Sequence, residues 1–282
     1  MSAPLAELMD LGSDRGVSLW VEVDGPADGR VVLMSQRLGA PADEWPDELV
    51  DAIIDAGYRA VRYDYRDCGR SSRAEAEYTM YDLALDAVAL LDRLGVDDAH
   101  ILGHSMGGTV SAIFAIEHPE RTRSYTVING GGADPSIPEW TDDFAAVAAG
   151  SPGRTPESWT EHLLRELRVM SVEPFDAGRA RARAARMVEL GWAPRSIRRM
   201  LEGTQKAKPP PEHWRSIDAP TLVIHGTEDR VLILPHGRAI ADAIDGARLV
   251  VMDGMGHDLQ PPFRPDVCDA VVDHLRAVDA DG

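Results

Sequence analysis

The chain has 282 residues, of which 44% are hydrophobic, and its formal net charge is −18. This length fits two small domains or one large α/β domain with an insertion. The acidic balance argues against non-specific nucleic-acid binding, because a phosphate backbone favours a basic surface.

The sequence also lacks the signals of a membrane or secreted protein. No apolar stretch approaches the roughly 18–20 residues that a membrane span needs. The first residues, 1–7, show no basic region followed by an apolar one, so we expect no secretory signal. Cys68 and Cys268 are too few and too far apart for a disulfide framework, and we therefore expect a reduced, cytoplasmic protein.

Strand-like and helix-like segments alternate through the first half of the chain and again near its end. Apolar or alternating runs predict strands at residues 17–23, 31–34, 60–63, 101–102, 124–128, 220–224 and 247–252. Periodic segments with Gly or Pro at their ends predict helices at residues 45–56, 79–94, 108–118, 235–244 and 265–278. This alternation predicts an α/β fold with a doubly wound, mostly parallel sheet.

The alternation breaks between the two groups of strands. From residue 130 to 213 the sequence has Pro and Gly punctuation and helical segments but no strand-like run. We therefore predict a core made of residues 1–129 and 214–282, and a helical cap, residues 130–213, inserted over one end of the sheet.

One turn carries the strongest chemical signal. Residues 99–108 read A-H-I-L-G-H-S-M-G-G, a G-x-S-x-G match placed between a strand and a helix. A sharp strand-to-helix turn leaves no room for side chains two residues from the serine, which explains Gly103 and Gly107. Ser105 would then lie at a helix N-terminus, where free N–H groups favour developing negative charge, and we predict that it is a nucleophile.

A serine hydroxyl needs a base and a group that orients the base. In this strand order the acid precedes the base on loops at the carboxyl ends of later strands. Asp229, after the strand at 220–224, is the predicted acid, and His257, which follows Gly254 and Gly256 after the strand at 247–252, is the predicted base. Three other carboxylates remain weaker alternatives for the acid: Glu228, Asp253 and Asp258.

The other eight histidines have less support as the base. His104, next to the serine, is expected to face away from it and pack under the turn, and His225 to be structural. The remaining six lie at a strand start or in helical or polar contexts without a partner signal: His100, His118, His162, His213, His236 and His274.

The oxyanion of a tetrahedral intermediate needs two hydrogen-bond donors. We predict the backbone N–H of Met106, just after the nucleophile, and that of Gln36, in the loop after the strand at 31–34. Ser35 and Arg37 are the neighbouring alternatives for the second donor.

Several motifs together resemble the α/β-hydrolase family, and especially the bacterial aclacinomycin methylesterase group. They include W-P-D-E-L, R-Y-D-Y-R-D-C-G-R-S-S, G-H-S-M-G-G, P-T-L-V-I-H-G-T-E-D and G-M-G-H-D. The resemblance implies an eight-stranded hydrolase sheet, with Ser105, Asp229 and His257 as nucleophile, acid and base. The family has His-Gly or Met-Gly-Gly at the oxyanion loop, whereas this chain has Met34-Ser35-Gln36-Arg37, so the Gln36 side chain is expected to crowd the pocket or add an amide to it.

The cap is expected to select the substrate. It contains large apolar side chains that either line a pocket or pack the cap helices together: Trp140, Trp159, Met170, Phe175, Trp192, Met200 and Trp214. It also contains a basic run that either binds an anionic substrate or pairs with neighbouring acids, the second being favoured: Arg179, Arg181, Arg183, Arg186, Arg195, Arg198 and Arg199.

The sequence thus predicts a serine hydrolase that acts on a small or medium apolar carboxylic ester through an acyl-enzyme. It suggests no metal or organic cofactor, because neither a ligand cluster nor a Gly-rich phosphate loop of the right form is present. The same triad also serves C–C bond hydrolysis, cofactor-free perhydrolysis and acyl transfer. A ligand-binding homologue without turnover is the alternative from a different class. The sequence does not indicate the oligomeric state.

Overall fold

The computed structural model describes residues 5–12, 15–260 and 264–281. Within these residues, eight strands form one sheet: Leu5–Asp10 (β1), Ser18–Asp24 (β2), Val31–Ser35 (β3), Arg59–Tyr63 (β4), Ala99–His104 (β5), Thr122–Ile128 (β6), Thr221–Gly226 (β7) and Arg248–Met252 (β8). Their order across the sheet is β1-β2-β4-β3-β5-β6-β7-β8. The pairs β1–β2 and β2–β4 are antiparallel and the others are parallel.

Helices cover both faces of the sheet, and the described part of the chain contains nine α-helices. They are Asp47–Asp55 (α1), Met80–Leu94 (α2), Met106–Glu117 (α3), Asp142–Ala148 (α4), Pro156–Met170 (α5), Ala177–Glu189 (α6), Pro194–Lys206 (α7), Pro235–Ala243 (α8) and Pro265–Asp281 (α9). The predicted α/β fold with a doubly wound, mostly parallel sheet is confirmed. Within the described residues, no helix combines the length and apolar character needed to cross a bilayer.

The central strands are buried on both faces, as continuous apolar runs require in a parallel sheet. All five residues of β3 and all six of β5 and of β7 are buried. One apolar layer joins α2 and α3 to one face, and another joins α1 and α9 to the opposite face. The carboxyl ends of the parallel strands therefore meet at one rigid edge.

The segment between β6 and β7 contains the four helices α4–α7 and no strand, and all of its residues are described. An apolar cluster packs α5 and α6 together through Leu163, Leu167, Ala180 and Ala184. At the end of the segment Trp214 is fully buried in a cluster with α3, β6 and β7, so the chain has rejoined the sheet there. These contacts favour the predicted cap, residues 130–213, whose boundaries stay a prediction.

The strand β1 was not among the strands predicted from local pattern. Four of its six residues are exposed, so its sequence lacks the alternation of apolar and polar residues that marks a half-buried strand. Pairing with β2 is what defines it. The other predicted elements have shifted ends, as for β6, which begins two residues before residue 124. The expectation about a secretory signal falls in part on residues 1–4, which lie outside the described residues.

A buried carboxylate joins three segments on one face of the sheet. Asp86, on α2, is 1% exposed. It accepts hydrogen bonds at 2.5 and 2.6 Å from Arg66, after β4, and at 2.8 and 2.9 Å from Arg15, between β1 and β2. Removing one partner of such a buried group leaves the others as uncompensated charges.

We predict that Asp86→Ala lowers the free energy of unfolding by about 3–5 kcal/mol, because two arginines lose their shared carboxylate. Urea denaturation measures the change. The matched control is Glu161→Ala, which removes an ion pair with Arg181 in which both side chains are about half exposed. Its cost is expected to stay below ~1 kcal/mol, and equal costs for the two variants would contradict the prediction.

Candidate active site

Ser105 lies on a strained turn between β5 and α3. Its φ of 55° and ψ of −121° are outside the regions that non-glycine residues ordinarily adopt. A Cβ at Gly107 would lie 2.0 Å from the carbonyl oxygen of Ser35, and a Cβ at Gly103 would lie 2.3 Å from that of Gly107. The two glycines therefore allow the close contact between β5, α3 and the end of β3 that holds the serine in this conformation.

The three side chains predicted to act together form one hydrogen-bonded series. The Nε2 atom of His257 lies 3.0 Å from the Oγ atom of Ser105, and its Nδ1 atom lies 2.8 Å from Oδ2 of Asp229. The other carboxylate oxygen of Asp229 accepts the N–H groups of Val231 and Leu232 at 2.8 and 2.9 Å. Asp229 and His257 are buried, while Ser105 is partly exposed at the cavities described below.

Two further histidines lie beside this series. Burial and the neighbouring His257 lower the pKa of His104 well below its ordinary range. Its Nε2 atom lies 3.0 Å from the carbonyl oxygen of His257, so it packs under the turn as expected. Burial also lowers the pKa of His225, whose Nε2–H donates to the carbonyl of Leu232 at 2.8 Å. Burial therefore disfavours the charged form of both rings.

Asn129 is a residue that sequence reasoning missed. It directly follows β6, is fully buried and has a φ of 48°. Its side-chain amide donates to the carbonyl of Gly256 at 2.9 Å and accepts from the N–H of Gly226 at 3.0 Å. It thus connects the loop before His257 to the end of β7. The only local signal is the Asn-Gly-Gly sequence after an apolar strand, which indicates a turn but not these contacts.

The two predicted oxyanion residues, Met106 and Gln36, have different environments. Met106 is the first residue of α3, so its N–H has no partner within the helix. The Gln36 side chain is buried, and its Oε1 atom accepts the N–H of Arg37 at 2.8 Å and lies 2.8 Å from Nδ1 of His104. The expectation that this side chain crowds or enters the pocket is therefore wrong: Arg37 and Leu38 line the cavity instead.

Two cavities meet at Ser105. The first, of about 550 Å³, we call the proline cavity; it is lined by Met106 and by the prolines 135, 138 and 209–211. The second, of about 480 Å³, we call the tryptophan cavity; it is lined by His257, Trp192 and Phe144. Leu38, Trp140 and Leu201 border both cavities. Open space therefore extends to both sides of the Ser105 hydroxyl.

The tryptophan cavity also contains one polar pair. His162 is buried, packs against the Trp192 ring at 6.2 Å, and lies 3.2 Å from Glu166 through Nε2 and Oε1. Both side chains line the cavity that reaches His257. Together with Arg37 and Arg198, they add polar groups to a lining that also contains aromatic and aliphatic side chains.

The apolar cap residues occupy three places, and only the first two match the predicted roles: lining a cavity, packing among the cap helices, and packing against the sheet. Trp159 and Phe175 pack among the cap helices. Trp140, Met170 and Trp192 line the tryptophan cavity, whereas Met200 and Trp214 are buried in clusters with the sheet and its helices.

The cap arginines also fall into two groups, those that pair with acids and one that lines a cavity. Four of them pair with acids, as the favoured interpretation predicts: Arg181, Arg183, Arg186 and Arg199. Arg198 is exposed and lines the tryptophan cavity. Among the described residues, no group of three or more His, Cys, Asp or Glu side chains is arranged to hold a metal ion.

Comparisons with known proteins identify relatives over nearly the full length. A family model described as the alpha/beta hydrolase fold matches residues 30–262. Rhodomycin D methylesterase DnrP of Streptomyces peucetius is 31% identical over 93% of this chain and 96% of its own length. The match to a methylesterase confirms the resemblance inferred from the motifs.

Solved structures agree on the fold. The enol-lactonase of Burkholderia xenovorans has a TM-score of 0.74 and 26% identity, over 93% of this chain and 97% of its own. A 2-hydroxy-6-oxo-6-phenylhexa-2,4-dienoate hydrolase from a Rhodococcus strain has a TM-score of 0.81 and 21% identity, over 97% of this chain and 99% of its own. The second likeness concerns the fold alone.

We predict that Gly107→Ala lowers kcat/KM for p-nitrophenyl acetate by on the order of 100-fold, because a methyl group 2.0 Å from the Ser35 carbonyl must displace the turn. The control is Gly178→Ala on α6, where the nearest atom to an added Cβ is a carboxylate oxygen of Asp176 at 3.3 Å. That variant is expected to keep its activity and to be slightly more stable. Full activity of Gly107→Ala would contradict the geometry of the turn.

Proposed function

Because the chain belongs to the α/β-hydrolase family and is a hydrolase of the esterase type, we propose that it cleaves carboxylic esters with Ser105 as nucleophile, His257 as base and Asp229 as orienting acid. The supporting observation is the hydrogen-bonded series of 3.0 and 2.8 Å that joins these three side chains. Such a series is what converts a weakly nucleophilic hydroxyl into an attacking group.

The proposed reaction has two halves. The Nδ1–H of His257 donates to Asp229, which leaves the Nε2 lone pair to accept the Ser105 proton as Oγ attacks the ester carbonyl carbon. The tetrahedral intermediate then collapses, the imidazolium gives its proton to the leaving alcohol, and the acyl group stays on Ser105. Water, deprotonated by the same imidazole, attacks the acyl-enzyme, and the imidazolium returns that proton to Oγ of Ser105 as the acyl–Oγ bond breaks and the acid is released.

The oxyanion is held by two backbone donors in this proposal. The N–H of Met106 is supported by its place at the first turn of α3, where the helix dipole also favours negative charge. For the second donor, the backbone N–H of Gln36 is favoured over that of Arg37, because the Arg37 N–H already donates to the Gln36 side chain. The Gln36 assignment stays a prediction.

The two cavities suggest which half of the ester lies where. His257 lines the tryptophan cavity and must protonate the leaving alcohol, so we assign the alcohol to that side. Met106 lines the proline cavity, which receives the acyl group. With about 500 Å³ on each side, both halves have room for a ring system. The relative that removes a methyl ester from rhodomycin D suggests bulky methyl esters, and the enol-lactonase suggests cyclic esters, as test substrates.

We expect Ser105→Ala to abolish hydrolysis of p-nitrophenyl acetate and labelling by a fluorophosphonate. Asp229→Asn should lower kcat by on the order of 10⁴-fold, because an amide no longer selects the productive imidazole tautomer. Mass spectrometry of the wild-type reaction should detect the acyl group on Ser105 and release of the free acid.

An intact fold is required for these comparisons and is checked by circular dichroism. If folded Ser105→Ala retains wild-type activity, the serine mechanism fails. If wild-type protein binds esters but neither turns them over nor reacts with the fluorophosphonate, the chain is a ligand-binding homologue.

A pair of cavity-filling variants tests the assignment of the two sides. Ile137→Trp fills part of the proline cavity, and Ala148→Trp fills part of the tryptophan cavity. We expect Ile137→Trp to lower kcat/KM at least about tenfold for esters with a long acyl chain and a small alcohol. Ala148→Trp should do so for acetates of large alcohols, and each variant serves as the control for the other. The reverse pattern would assign the acyl group to the tryptophan cavity and the alcohol to the proline cavity.

A further inference from the structure

Four charged side chains form a continuous buried network beside the proposed active site. The guanidinium of Arg183 makes a two-pronged contact with Asp258, at 2.7 and 3.0 Å, and reaches Glu44 at 2.7 Å. Arg37 donates to the same Oε2 atom of Glu44 at 3.1 Å. Arg37, Glu44 and Asp258 are less than 10% exposed, and the Arg183 side chain is 15% exposed.

The network joins three separate parts of the chain. Arg37 follows Gln36 in the loop after β3, Asp258 follows His257 in the loop after β8, and Arg183 lies on the helix α6 between β6 and β7. A single arginine from the predicted cap is therefore bonded to the residue next to the proposed base, and through Glu44 to the residue next to the proposed oxyanion donor.

The Asp258 carboxylate is fixed from several directions. Burial alone raises the pKa of Asp258, but Arg183 outweighs this and brings the pKa down to about 2, so the group stays ionised. The Ser171 hydroxyl donates to it at 3.2 Å, and its own N–H donates to the carbonyl of Met170 at 2.9 Å. The Gln260 amide, two residues on, donates to the Glu44 carbonyl at 3.0 Å.

A buried network of this kind does little for stability by itself. Desolvating the charges offsets most of their attraction, and apolar side chains of similar volume often give equal or greater stability. A forked guanidinium–carboxylate contact does impose direction and distance, because both groups are planar and bind through two parallel hydrogen bonds. The network is therefore suited to fixing the relative positions of the two loops.

We propose that Arg183 is a positioning residue, which fastens the cap to Asp258 and Glu44 and thereby holds the His257 ring and the oxyanion loop in register with Ser105. This inference rests on the proposed function of those residues. It implies that the cap contributes to the rate of the chemical step as well as to substrate selection.

The test compares four variants with wild type. Arg183→Met removes the charge but keeps most of the side-chain volume, and Arg183→Lys keeps the charge but not the fork. Arg183→Met combined with Asp258→Asn removes the uncompensated carboxylate as well. Arg181→Met is the matched control, since it lies on the same helix in an exposed pair with Glu161. Each is measured for kcat and KM with p-nitrophenyl acetate, for fluorophosphonate labelling rate, and for stability in urea.

We expect Arg183→Met to lose kcat and labelling rate by on the order of 100-fold, with a KM within about twofold of wild type, as displacement of a catalytic group by about 1 Å would cause. The kcat and labelling rate of Arg183→Lys should lie between those of Arg183→Met and wild type. The double variant should regain stability relative to Arg183→Met, because no buried charge is left unpaired, but it should not regain kcat. Arg181→Met should behave as wild type.

Two results would overturn the proposal. One is a kcat for Arg183→Met within about twofold of the Arg181→Met value. The other is recovery of kcat in the double variant together with stability, which would reduce the network to a structural contact. If Arg183→Met does not fold, the lysine and double variants still decide between these outcomes. Activity in folded Ser105→Ala would instead refute the proposed function and leave the network's effect on labelling to be judged separately.

Discussion

The backbone of Ser105 is the constraint on which the rest of the site depends. A serine held at φ 55° and ψ −121° costs on the order of 1–3 kcal/mol and persists only where its surroundings determine it. Its N–H donates to the carbonyl of Ile128, at the end of β6, and Gly107 lets the carbonyl of Ser35 approach from β3. The hydroxyl is thereby directed out of the sheet edge, and the end of β3 is brought against the first turn of α3.

Sheet order determines which residues meet that hydroxyl. The strands β5, β6, β7 and β8 are consecutive neighbours, and the residues after their carboxyl ends are Ser105, Asn129, the Asp229 loop and the His257 loop. Ligand sites in α/β sheets form at this edge because every parallel strand delivers a loop to it. Asn129 fills the position between the proposed nucleophile and the proposed acid, and its two amide contacts fix the spacing between β7 and the loop of His257.

Local patterns were sufficient for the parts of the fold that local chemistry determines. Continuous apolar runs predicted the buried strands, and the glycine spacing around Ser105 predicted the turn. Chain order then selected Asp229 and His257 from many acids and nine histidines, and the structure places His257 beside the serine and Asp229 beside His257.

Contacts between distant residues gave no comparable signal. Arg183 meets Asp258 across 75 positions and Glu44 across 139, so nothing in the neighbourhood of any of the three indicates the network. The burial of the Gln36 side chain likewise depends on His104, 68 residues away. Such contacts exist only once the sheet has formed.

Three imidazoles surround Asp229 and the serine, and their surroundings give them different roles. Burial lowers the pKa of His104 and of His225, and each ring has a nitrogen at a backbone carbonyl. The Nε2 atom of His225 is 3.6 Å from Asp229, beyond hydrogen-bonding distance, because its proton is directed to Leu232. The carboxylate therefore bonds to His257, whose other nitrogen faces the hydroxyl of Ser105. The hydrogen bond from His225 to the Leu232 carbonyl therefore leaves His257 as the imidazole bonded to Asp229, and His257 is the proposed base that contacts Ser105.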